Sequence, residues 1–159
     1  MTPQIAIFGI LGILTTAWAF YANRHLFTGG AVGRPTLLEG AYFAVGVISV
    51  VLGEYFNVRY THQVGSKANY ITYTKALFSS WAADSAAQDY IIVNVLLLPM
   101  WTIVDGYRRR LRIPWIFFVM SLFTSLAFSM ALYLAFVERQ IRYTATTRVE
   151  APESATVRA

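Results

Sequence analysis

Long apolar blocks separated by short polar stretches dominate this chain, and most blocks are apolar on all sides rather than along one stripe. Residues 1–23 carry no charge and predict a first helix over about 5–22. Ala17-Trp18-Ala19 has the small-x-small form of a signal-peptide cleavage site. Met1-Thr2-Pro3-Gln4 lacks the basic n-region such a peptide needs, so a retained helix is expected. After a polar link with Gly29-Gly30 and Gly33, Pro35 suits a first helical turn, and a second helix is expected over about 36–56. A third is expected over about 86–107, kinked where Pro99 removes a backbone bond. A fourth is expected over about 114–137, inside an uncharged stretch of 25 residues from Ile113 to Val137. Between the second and third, Tyr70, Tyr73, Leu77, Phe78 and Trp81 recur every three or four residues. They form one face of an amphipathic helix over about 67–82 that would lie in a membrane interface. The Thr/Ala/Val/Glu/Arg tail over 143–159 is expected to be disordered, leaving 1–142 as a single domain.

Composition decides what surrounds these helices. Charged residues are only 13% of the chain and hydrophobic residues 57%, against about 25% charged in a soluble domain. So little charge cannot solvate a globular surface, and the expected fold is an all-α bundle of four transmembrane helices with an interfacial helix between helices 2 and 3. There is no cysteine, hence no disulfide, thiolate ligand or thiol nucleophile. No phosphate loop, His-x-x-x-His or Glu-x-x-His pair occurs, and both histidines fall in loops, so neither a metal nor a cofactor is expected. The net charge of +5 comes from arginines at helix ends, a placement suited to anionic lipid headgroups rather than nucleic acid. Arg108, Arg109, Arg110 and Arg112 form the densest group, at a membrane interface, and the positive-inside rule puts their turn in the cytoplasm. Both termini and the loop between helices 2 and 3 would then face outside, with Arg139 and Arg142 opposing the rule.

The acidic residues sit close together for spans of this kind. Asp89 and Asp105 bracket 15 uncharged residues, and Glu39 and Glu54 bracket 14. Such segments cover roughly 21–22 Å, against a hydrocarbon core of about 30 Å. Short carboxylates snorkel poorly, so some should point into the bundle or a wet cavity. Antiparallel neighbours place Glu54 and Asp89 at one end, with His62, Asp84 and Trp81. Glu39, Asp105, His25 and the arginine cluster fall at the other. Two close carboxylates could share a proton, which makes Glu54, Asp89, Asp84 and His62 a candidate acid–base group. The plainer alternative is that Asp89, or Asp84 a turn earlier, caps helix 3. Trp81, Asn94, Glu54 and Asp89 would line a ligand site between helices 2 and 3. Asp105 with Arg109, and Glu138 with Arg142, have the spacing of local ion pairs. Gly9, Gly12, Thr16 and Ala19, then Gly46, Ser49 and Gly53, then Ser121, Ser125 and Ser129 form small-residue faces that close a bundle or a dimer.

Several stretches resemble a family of small bacterial membrane proteins known as domain of unknown function 2834, over about 46–142. They are Ala76-Leu77-Phe78-Ser79-Ser80, Asp89-Tyr90-Ile91-Ile92, Asp105-Gly106-Tyr107-Arg108-Arg109, Pro114-Trp115-Ile116-Phe117, Leu126-Ala127-Phe128-Ser129 and Val137-Glu138-Arg139. Asp105 stands where the family favours Glu, and Tyr107 where Arg is frequent. The resemblance implies three spans with helix 1 as an addition, and a multi-pass protein of the bacterial plasma membrane. It carries no activity. The expected function is a non-catalytic accessory subunit or a binder of lipid or another hydrophobic ligand. Its partners would be membrane lipids, a second membrane protein or a second copy. The alternatives are an intramembrane isomerase or cyclase using the carboxylates, and an oligomeric proton-coupled transporter.

Overall fold

A computed structural model describes residues 3–28 and 32–150, all helices and connections with no strand among them. Helix α1 spans Pro3–Ala22, followed by one 3-10 turn at Arg24–Leu26. Helix α2 spans Leu37–Val64 and opens on Thr36, whose hydroxyl accepts the Glu39 N–H. It runs past the expected end at 56 as far as Gly65, whose φ of 64° stops it. Two helical runs, Leu37–Lys67 and Trp81–Arg108, are long and apolar enough to cross a membrane, and Ala6–Ala22 is a shorter apolar helix.

The amphipathic helix is shorter than its sequence pattern predicts. Helix α3 spans Tyr70–Leu77 and is capped by Asn69 in a reciprocal box with Thr72. Ser80 then starts α4, Trp81–Ile92, by accepting the Ala83 N–H. Trp81 therefore opens the third long helix rather than closing the interfacial one. Pro99 does not sit within an uninterrupted α-helix either. Val93–Leu97 forms a π-helical turn just ahead of it, and α5, Leu98–Arg108, carries the proline in its first turn. In the π turn the Leu98 N–H reaches the Val93 carbonyl five residues back, immediately before the proline.

The expected fourth helix is two helices. Helix α6 spans Ile116–Ser121, the chain turns at Leu122–Ser125, and α7 runs Leu126–Glu150. The two pack side by side as a hairpin: the Ser129 hydroxyl donates to the Phe117 carbonyl, and the Phe117 ring meets those of Tyr133 and Phe136. No proline or glycine makes the turn. Hydroxyls do, by satisfying the backbone groups a helix end exposes. Thr124 donates to the Met120 carbonyl at 2.8 Å, Ser121 to Phe118 at 2.7 Å, and Ser125 accepts the Phe128 N–H at 3.0 Å. Ser121, Ser125 and Ser129 are thus not one face of one helix. The segment over 143–150, expected to be disordered, continues α7; the rest of that tail, 151–159, lies outside the described residues.

This hairpin is the hub of the molecule. Its buried core is Ile116, Phe117, Met120, Leu132, Tyr133, Phe136 and Val137, with Ala19 of α1 and Leu26 packed in. Helix α1 lies antiparallel along α6. A Cβ at Gly12 would come within 2.9 Å of Thr124, Thr16 donates to the Met120 sulfur, and Trp18 meets Trp115 edge-on. Helix α2 lies antiparallel along α7, with Gly46 against Phe128 and Ala131 and a Ser49–Ser125 hydrogen bond of 2.8 Å. Helix α5 closes on the base of the hairpin, where a Cβ at Gly106 would fall 2.4 Å from that of Pro114. The N-terminal half of α1 and α2 beyond Ser49 extend past the turn. There Ile7, Ile10, Val51, Leu52, Tyr55 and Phe56 are exposed.

Candidate functional site

The residues expected to form an acid–base group do not meet. Glu54 and His62 are exposed on α2, Asp89 is exposed on α4, and Trp81 is 92% exposed. Asp89 accepts from its neighbour Gln88 at 2.8 Å and caps nothing, since it lies mid-helix and Ser80 holds the cap. Asp84 is in the first turn of α4, where a negative charge suits the helix dipole. Among the described residues, no hydrogen bond or ion pair joins Glu54, His62, Asp84 and Asp89 to one another. Asn94 is buried, as a polar wall or a helix–helix bond requires, but its amide reaches only Tyr90 of its own helix.

Chemistry is concentrated at the opposite end. Glu39 is completely buried and bridges two arginines of α7: Arg139 donates to one carboxylate oxygen at 2.5 Å and Arg142 to the other. Spacing of three puts both arginines on one face of α7. Each is bound a second time, Arg139 to the Leu26 carbonyl and Arg142 to the Arg34 carbonyl at 2.8 Å. One carboxylate thereby ties α2, α7 and the α1–α2 connection together. The expected Glu138–Arg142 pair is not formed, because Arg142 is committed to Glu39. Arg139 also lies over the Phe27 ring, 4.6 Å from its centroid.

Two further anchors fix the turn between α5 and α6. Asn23, fully buried, accepts the Arg112 N–H at 2.9 Å and donates to the Arg112 carbonyl at 3.1 Å. Asp105 accepts from Arg109 at 2.7 Å, as its spacing implies, and also from the Tyr133 hydroxyl of α7 at 2.6 Å. His25 lies near Arg112 and Gln140, its ring edge-on to Tyr143. Burial and the nearby Arg112 charge push its pKa below the ordinary value, against the opposing effect of Gln140 beside it. A groove of about 440 Å³ opens here between Arg108, Arg109 and Arg110 on one side and Gln140, Ile141, Thr144 and Ala145 on the other.

With this geometry in hand, a family model described as a protein of unknown function, DUF2834, matches residues 41–139. The chain belongs to the DUF2834 family. The matched segment of this DUF2834 protein begins just inside α2 and stops at Arg139, so it holds the hairpin, α4 and α5. Helix α1, Asn23, Glu39 and Arg142 lie outside it, and they supply the clamps that hold the hairpin's base. No curated protein and no solved structure matches this member of the family.

Sequence reasoning missed the Glu39 clamp. The available sign was Thr36-Leu37-Leu38-Glu39, which has the form of a capping box. The Thr36 half forms, but the Glu39 carboxylate turns away to the arginines.

Proposed function

We propose that this protein is a non-catalytic membrane protein, a lipid-binding accessory component, in which α1, α2 and α4–α5 cross the bilayer. The α6–α7 hairpin enters from the cytoplasmic face and returns to it. The observation that carries this topology is the turn at Leu122–Ser125. Because the chain reverses there, Arg139 and Arg142 come to the same end as Arg24, Arg34 and Arg108–Arg112, leaving Arg59, Lys67 and Lys75 at the other. A single fourth span would have set Arg139 and Arg142 against the positive-inside rule; the hairpin removes that conflict. From Arg112 to Thr124 the hairpin reaches roughly 18 Å, short of the ~30 Å core. Its hydroxyl-satisfied turn meets the requirement that irregular backbone at such depth be internally bonded.

The apolar faces of α1 and α2 beyond the turn are then lipid-facing, and aliphatic chains complete the packing there. Native mass spectrometry of protein extracted gently from its own membrane tests this. Bound phospholipid or a co-purifying membrane protein is expected; a bare monomer that regains neither on reconstitution would count against it.

A further inference from the structure

The α5–α6 turn is built on a residue of the wrong backbone type. The Arg110 N–H donates to the Tyr107 carbonyl at 3.0 Å and the Leu111 N–H to the Gly106 carbonyl at 2.9 Å. These two bonds define a Schellman helix end, whose middle residue must be left-handed. That residue is Arg110, with φ 62°. Glycine takes this conformation freely, whereas a side chain there crowds the following carbonyl. Ile113, three residues on, is left-handed as well, with φ 46°, so the sharp turn itself sets these conformations and Arg110 is carried to the position the turn gives it.

Arg110 lines a groove at the charged end. Arg108, Arg109 and Arg110 form one wall, and Gln140, Ile141, Thr144 and Ala145 of α7 form the other. Arg109 is neutralised by Asp105. Arg108 and Arg110 have no ion pair among the described residues, so two arginines without a counter-charge line an opening of about 440 Å³, within the usual range of small-ligand sites. Guanidinium groups match phosphate oxygens in charge and fork geometry. Ile141 and Ala145 add an apolar strip that a free inorganic ion would leave unused.

We propose that this groove binds the phosphate of an anionic phospholipid, with Arg108 and Arg110 as its charge partners and Ile141 and Ala145 against the glycerol backbone. The proposal rests on the reading that the arginine end lies at a membrane surface. It is tested in phosphatidylcholine nanodiscs doped with phosphatidylglycerol, by counting the lipids retained per protein in native mass spectrometry. The wild-type protein enriches phosphatidylglycerol. Arg110→Gly lowers that enrichment about fivefold, the worth of one surface arginine near anionic lipid. The same substitution raises the melting temperature by about 2–4 °C, because glycine suits the left-handed turn. Arg59→Gln, at the opposite end, changes neither. An Arg110→Gly protein that keeps its phosphatidylglycerol overturns the proposal. So does loss of the lipid to potassium phosphate but not to chloride of equal ionic strength, which would identify free phosphate as the ligand. A wild-type protein that retains phosphatidylcholine without any anionic preference sinks the groove alone. A wild-type protein that retains no lipid of either kind counts against the broader lipid-binding reading.

Discussion

Glu39 shows how one side chain can hold three chain segments. A fully buried carboxylate is tolerable only when its charge is matched and its oxygens are bonded, and Arg139 and Arg142 do both. Removing the acid leaves two guanidinium groups facing each other without a counter-charge. Glu39→Gln should therefore cost about 3 kcal/mol, read as a fall in thermal stability in detergent. Arg142→Gln should cost less, because Arg142 is the more exposed partner and Arg139 remains. Equal losses for the two variants would mean that the clamp does not work as described. How legible such residues were depended on sequence distance. The Asp105–Arg109 pair could be read from its spacing of four. Glu39 and Arg139 are 100 positions apart, and no local pattern links them.

Elements were legible where their limits are chemical. The uncharged opening run gave α1 almost to the residue, and Pro35-Thr36 gave the start of α2. The fourth apolar run has the length of a span and serines at the spacing of a packing face, so its reversal is not legible from pattern alone. In the folded chain the same hydroxyls make the hairpin, bonding locally to carbonyls and N–H groups. Sequence order groups Glu54, His62, Asp84 and Asp89 only if α2 and the third long helix pack together. Their partners are instead the two arms of the hairpin, so the carboxylates stay apart. The base of the hairpin depends on close approach of α5 to the following turn. A Cβ at Gly106 would lie 2.4 Å from that of Pro114, a ring that cannot swing aside. Gly106→Ala should cost about 1–3 kcal/mol by overpacking, while Gly53→Ala, with nothing within 4 Å of the added carbon, should be tolerated. Thermal unfolding of the two variants side by side checks the contrast.

At the scale of the whole molecule, one turn sets the distribution of charge. Three long helices surround a hairpin fastened at its base by Asn23, Glu39 and Asp105, and the hairpin's return gathers the arginines at one end. The proposed orientation and the proposed phosphate groove both depend on that return, which brings α7 to the arginine end. Because the chain has no cysteine, single cysteines can report its course directly. Thr28→Cys marks the α1–α2 connection, Ser66→Cys the opposite end of α2, and Thr147→Cys the far part of α7. The measurement is their reaction with a membrane-impermeant maleimide, on intact cells and after permeabilisation. The account predicts that positions 28 and 147 label together, only after permeabilisation, and that position 66 labels from outside. Labelling of position 147 together with position 66 would show that the chain crosses the membrane after Arg112, and would contradict it.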